Sequence, residues 1–234
     1  MARAPRPWTV TRHDPIEKLE DNLWTVNGDV PGAPFHRRMS IVRRSDGTLL
    51  FFNAVPLDDA ALAEVTAWGK PAILVLPHDQ HMIDARAFAE KLQLAVYGPK
   101  ACEARIRARV EMAGTLDMIP ADPSIQIETL HGVKSGEPAL IVHHAGGRVS
   151  LLFSDVIMNN AKSSIGFLPR MMGFAGGVKI VPLFRMMYLK DKPALKSQLE
   201  QWAGLSSLVR LVPCHGDLVP GGAPEALRAA AATL

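Results

Sequence analysis

The stretch Pro71-Ala-Ile-Leu-Val-Leu76 is a run of apolar residues with no polar interruption. A strand exposed on one face alternates apolar with polar, so a continuous run of this length fits a sheet covered on both faces. Upstream, Asp58 and Asp59 offer N-caps for a helix through Ala60 to Trp68, which Gly69 ends. Downstream come a helix from Asp84 to Leu92, a strand over Leu94 to Tyr97 and a basic helix from Ala101 to about Met112. Strand and helix in alternation predict an α/β layer.

Hairpins stand on either side of that layer. Asn22 to Asn27 and Arg38 to Arg43 read as strands. Ser45-Asp-Gly-Thr48 is a turn, and Leu49 to Phe52 is the returning strand. Later, Ser124 to Leu130 alternates, and Ala139 to His144 pairs through the Ala145-Gly-Gly147 turn with Val149 to Phe153. Leu208 to Val212 is the last strand, and Pro224 to Leu234 is a closing Ala-rich helix. Two hairpin blocks, each followed by helices, predict two sheets packed together with helices outside. The expected organisation is a loose segment over 1–20, one domain over 21–234, and a Met-rich helical insertion at about 160–200.

That insertion holds Met171, Met172, Met186 and Met187 with Phe167, Phe174, Phe184 and Gly176-Gly177. Its plainest reading is a helical pair packed on the core and joined at the glycines. The alternative is an adaptable apolar surface, since thioethers are flexible and polarizable.

Composition excludes several classes. Hydrophobic residues make up 48% of the 234, too many for a disordered chain. Cys102 and Cys214 stand far apart, which excludes a disulfide scaffold and fits a reducing compartment. Seven arginines (Arg3, Arg6, Arg12, Arg37, Arg38, Arg43, Arg44) crowd the first 44 positions, yet the formal net charge is only +3. Without interleaved aromatics they read as a solvated face plus a loose terminus, and no nucleic acid is expected. The opening lacks the apolar core of a signal peptide, and no apolar run approaches the roughly 18 residues that span a bilayer. A cytoplasmic protein without membrane insertion is expected. No Gly-x-Ser-x-Gly elbow, P-loop or dinucleotide fingerprint is present.

Ligand-type residues recur where predicted strands end. His78 follows Leu76, His131 follows Leu130, Asp155 follows Phe153-Ser154, and His215 follows Pro213-Cys214. In layered α/β folds strand ends gather at one edge, and imidazole with carboxylate there suits zinc, iron or manganese.

With these residues in place the chain resembles the metallo-β-lactamase superfamily, whose signature is a strand followed by Thr-His-x-His-x-Asp-His. The matching stretch is Val75-Leu-Pro-His78-Asp-Gln80-His81-Met82-Ile83. His131 in Leu130-His131-Gly132, Asp155 in Phe153-Ser-Asp155 and His215 in Pro213-Cys-His215-Gly216 match the later motifs. The resemblance implies a four-layer αββα sandwich with metal ligands His78, His131, Asp155 and His215. Met82 and Ile83 depart from the signature and remove both local ligands of a second metal position, while Gln80 stands as an uncommon weak ligand where the first position has an imidazole. His81, three beyond His78, serves as a replacement ligand if the turn is tight and faces solvent if it is not.

The resemblance implies a metal-dependent hydrolase with an altered, mononuclear site. It would act on an ester, thioester, amide or phosphoester, with Asp155 and His215 catalytic. The expected cofactor is one Zn, Fe or Mn ion, the substrate a small apolar or acyl molecule, and a homodimer is allowed. The alternative is a metal-free member that binds a ligand or partner without catalysis. Cys214 beside His215 reads as a buried small residue or a soft ligand, Asp84 as a helix cap, and His143-His144 as structural. Ser154, Asn159 and Asn160 are candidate donors to a ligand's oxygens.

Overall fold

The computed structural model describes residues 6–32, 36–160, 171, 173 and 176–234. The chain divides into two compact units, residues 1–31 with 37–124, and residues 32–36 with 125–234.

The first unit carries a seven-stranded sheet in chain order: β1 (Glu17–Glu20), β2 (Leu23–Asp29), β3 (His36–Arg43), β4 (Thr48–Phe52), β5 (Lys70–Val75), β6 (Ala95–Gly98) and β7 (Gly114–Thr115). The β3–β4 hairpin forms as expected, with Ser40 opposite Phe52 and Val42 opposite Leu50. From β4 onward the pairing is parallel. Parallel strands need crossovers, supplied here by α1 (Asp59–Trp68) between β4 and β5 and α2 (Ala85–Leu92) between β5 and β6. Asp58 caps α1, accepting from Ala61 N at 2.8 Å. Phe51, Leu74 and Leu76 pack with Phe88 of α2, and Trp24 stacks on Trp68 at 3.9 Å. Leu50, Phe52 and Val75 on the opposite face are buried as well, which accounts for the uninterrupted apolar run.

The second unit has a four-stranded sheet ordered β13-β10-β9-β8, from β8 (Ile125–Thr129), β9 (Pro138–His143), β10 (Val149–Phe153) and β13 (Leu208–Pro213). Only β10 and β13 are parallel. Of its helices, α4 (Pro182–Tyr188), α5 (Lys192–Ala203) and α6 (Ala223–Ala231), α5 sends Trp202 against Phe153 of β10.

Several expectations change. The segment expected to be loose carries β1, and Asp14 N already bonds Asn27 O at 2.8 Å. The basic helix is short: α3 covers Glu103–Arg107, because Ala113 N leaves to pair with Val96 O and the chain joins the sheet as β7. A two-stranded ribbon, β11 (Met158–Asn160) with β12 (Gly177–Lys179), has no counterpart in the sequence reading.

The arginine-rich start is not simply a solvated face. Arg37, Arg38 and Arg44 are buried. Arg37 pairs with buried Asp84, and Arg44 donates to Pro120 O at 3.1 Å while lying 3.7 Å from Asp122. A buried guanidinium requires such partners.

Ile165, Phe167, Met172 and Phe174 of the Met-rich segment lie outside the described residues. Its described methionines are at the surface rather than in the core, Met171 at 70% and Met186 at 74% exposure. Among the described residues no helix is long and apolar enough to cross a membrane.

Candidate functional site

In the first unit the chemistry gathers where β4 and β5 end. Leu76 N still pairs with Tyr97 O, and the chain then turns through Pro77 to Asp84 before entering α2. His78 is buried at the head of that turn, and its Nδ1 accepts the Gln80 N–H at 3.2 Å. The turn is tight enough to bring the His78 and His81 rings edge to face, centroids 4.7 Å apart, with ligand atoms within 4.8 Å of one another. His81 Nδ1 meets Asn53 Oδ1 at 2.8 Å. The Gln80 side chain is exposed and Met82 is buried in the core, so neither takes a ligand's place. Asp84 makes no capping bond to α2 and pairs with Arg37 instead. Asp79 pairs with Arg105; burial works to raise its pKa, but the guanidinium holds it below the usual carboxylate value.

In the second unit the parallel pair β10–β13 delivers the donors. Cys214 N bonds Phe153 O at 2.8 Å, carrying the parallel register one residue past β13. His215 follows, with Nδ1 at 2.7 Å from the His36 carbonyl and Nε2 at 3.2 Å from Asp155 Oδ1. A carbonyl only accepts, so Nδ1 carries a proton and Nε2 is the atom that faces Asp155. Cys214 and His215 hold ligand atoms within 4.8 Å of one another. Burial of the His215 ring opposes protonation. The Cys214 sulfur and the Asp155 carboxylate outweigh it and raise the pKa well above the usual imidazole value.

Two backbone features fix this geometry. Glu137, fully buried, takes the N–H groups of Asp155 and Val156 on one oxygen, at 2.8 and 3.2 Å. Gly216 sits at φ +88°, where a Cβ would fall 2.1 Å from Asn159 O, so only glycine lets the chain leave His215 beside β11. Asn159 donates its side-chain amide to Asp217 O at 3.0 Å, bracing the same loop.

His131 is exposed, and its N–H donates to Gln198 Oε1 at 2.8 Å. Among the described residues it belongs to no group of close donor atoms. His144 is buried against Ser150 at 2.8 Å. Sequence reasoning passed over Asn53 and Glu137. Asn53 ends β4 just as His78 follows β5, so the strand-end rule applied to asparagine would have flagged it. Glu137 precedes a strand, where that rule does not look.

The donors suit a divalent ion of the zinc kind. A metal-bound imidazole normally gives its other N–H to an oxygen, which leaves one lone pair for the ion. His81 through Asn53 and His215 through His36 both show that arrangement. Within the second unit, Cys214 sulfur and Asp155 carboxylate beside the His215 imidazole make up an N, S and O set of the kind zinc takes.

No family model and no curated protein matches the sequence. Solved structures do match. DIM-1 metallo-β-lactamase exposed to ceftazidime superposes with a TM-score of 0.63 at 12% identity, over 96% of this chain and 99% of that one. A metallo-β-lactamase from Pontibacter korlensis gives 0.61 at 11% identity, over 95% and 100%. One from Erythrobacter litoralis with β-mercaptoethanol in its active site gives 0.59 at 12%, over 94% and 96%. The chain has the metallo-β-lactamase fold.

Proposed function

We propose that this chain is a metal-dependent hydrolase of the metallo-β-lactamase fold whose ligand set is re-registered. Taken unit by unit, His81 is the ligand candidate of the first, and Asp155, Cys214 and His215 are those of the second. The observation that carries the reading is the shared hydrogen-bond polarity of His81 and His215, each with Nδ1 against a fixed oxygen. A bound divalent ion supplies Lewis acidity, which activates water near neutral pH and polarises an acyl or phosphoryl oxygen.

The chain's own groups do the proton work. Because Nδ1 of His215 is committed to the His36 carbonyl, Nε2 is the ring atom left for an ion, and it faces Asp155 across 3.2 Å. Asp155 is held for this by its own N–H on Glu137, so its carboxylate stays turned to the imidazole. With Nε2 of His215 offered to the ion, the Asp155 carboxylate is the group that would take a proton from an attacking nucleophile and return it to a leaving group. An apolar acyl substrate is the first choice because Met171, Met186 and Met187 offer exposed thioether surface. The cytoplasm, a small-molecule substrate and a single ion complete the proposal.

The test is hydrolysis of a panel of acyl esters, acyl thioesters, amides and phosphoesters by zinc-loaded and chelator-treated protein. Turnover of one class that chelation abolishes and Asp155→Ala removes supports the reading. Equal turnover in Asp155→Ala overturns it. A metal-free binding protein is the second reading, favoured by one observation: Met82, in the signature's aspartate position, is packed in the core.

A further inference from the structure

Among the described residues, Asn53 is one of two other than glycine at positive φ, the other being Gln93 just past α2. Asn53 is buried at the end of β4 with φ +69°, in the left-handed region that side chains other than glycine rarely adopt. Asparagine tolerates that region better than most residues, but strain of this kind persists where surrounding structure imposes it, typically beside a functional group. Its backbone N–H bonds Val75 O at 3.2 Å, which ties the end of β4 to the end of β5, one step before the Pro77–Asp84 turn.

The side chain is fixed at both ends. Nδ2 donates to the Arg38 carbonyl at 3.3 Å, and Oδ1 faces His81 Nδ1 at 2.8 Å. The first contact decides the second. A backbone carbonyl has no proton to give, so the amide atom facing Arg38 must be the NH2 and the atom facing His81 must be the oxygen. An oxygen acceptor against Nδ1 requires Nδ1 to carry the proton. Neutral His81 is therefore held as the Nδ1–H tautomer, with its lone pair on Nε2. His78, a few residues earlier, has the opposite polarity, because its Nδ1 accepts the Gln80 N–H. The two rings of the same turn are thus set in different tautomers by different neighbours.

We propose that Asn53 is a positioning residue that locks His81 in the Nδ1–H tautomer, so that Nε2 is the ligand atom this site offers to a divalent metal. The inference rests on the metal-binding reading above. It deepens that reading by assigning His81 rather than His78 as the imidazole ligand of the first unit, with a neutral amide as its orienting partner. Outer partners of this kind typically contribute 10–100-fold in metal affinity.

The experiment is long-range 1H–15N correlation NMR of the histidine rings in metal-free protein at about pH 8, above the usual imidazole titration. The His81 signals are assigned with His81→Gln. Asn53→Gly is the test variant because glycine takes φ +69° without strain, so the fold survives while both amide contacts are lost. Asn53→Asp keeps an acceptor against Nδ1. The expected result is Nδ1–H at His81 in the wild type and in Asn53→Asp. In Asn53→Gly the tautomer moves toward Nε2–H, and zinc affinity weakens by about 10–100-fold with a comparable melting temperature. An Nε2–H tautomer in the wild type, or an unchanged spectrum in Asn53→Gly, overturns the assignment. The expected tautomer shift in a protein that takes up no zinc supports the Asn53–His81 assignment and overturns the metal reading, so the two fail separately.

Discussion

Glu137 and Asp155 stand 18 residues apart in sequence, and one carboxylate oxygen of Glu137 takes the backbone N–H of Asp155 at 2.8 Å. The same oxygen takes Val156 N–H at 3.2 Å, and Glu137's own carbonyl takes Leu130 N–H at 2.8 Å. One buried residue thereby fastens the turn that carries Asp155 and closes the loop that begins beside His131.

Glu137→Ala should be costly. It leaves two backbone donors without their acceptor, and a buried orphan of that kind costs about 1–3 kcal/mol. Glu137→Gln keeps an oxygen in place and should retain most of the stability. Urea denaturation of the three proteins checks the order; equal midpoints for alanine and glutamine would show that the carboxyl oxygen holds nothing.

Gly216→Ala places a methyl group where the Asn159 carbonyl already sits and forces alanine to φ +88°. The left-handed conformation alone costs about 1–2 kcal/mol, and the collision adds to it. Gly222→Ala is the matched control, at φ +65° with nothing nearer than 3.9 Å. The melting temperature should drop further in Gly216→Ala than in Gly222→Ala, and zinc affinity should fall in the first variant alone.

Acid should weaken the clasp around Asp122. Burial works to raise its pKa, but hydrogen bonds from Ser124 and Ser45 outweigh that and hold it below the usual carboxylate value. A carboxylate depressed on folding adds stability above its unfolded pKa and loses it as pH falls through the folded value. The stability gap between wild type and Asp122→Asn should therefore be constant from about pH 7 to 5 and shrink only below about pH 4. Thermal melts across that range measure it; a gap that closes already near neutral pH would contradict the assignment.

Most of the layer order was legible because strands covered on both faces leave unbroken apolar runs, as at Ile73 to Leu76, and because Asp58 and Gly69 mark their helix directly. The short elements were not. β7 and the β11–β12 ribbon are two or three residues long, and their pairing is decided by distant backbone rather than by local pattern. The strand-end rule pointed to Asp155 and His215, whose side chains lie 3.2 Å apart. It also pointed to His131, an exposed residue, since strand ends mark only where a residue leaves the sheet. His81 depended on the Pro77–Asp84 turn, and the Asn53 bond that orients it joins residues 28 positions apart.

The most direct test of the central claim is the metal content of protein purified without added metal and of the same protein after zinc reconstitution and gel filtration. The account predicts one divalent ion per chain in the wild type and in His131→Ala. It predicts reduced retention in Cys214→Ser and His215→Ala, and separately in His81→Ala, each checked for folding by its melting temperature. No retained metal after reconstitution, or full retention when His81 and His215 are both replaced, would contradict it.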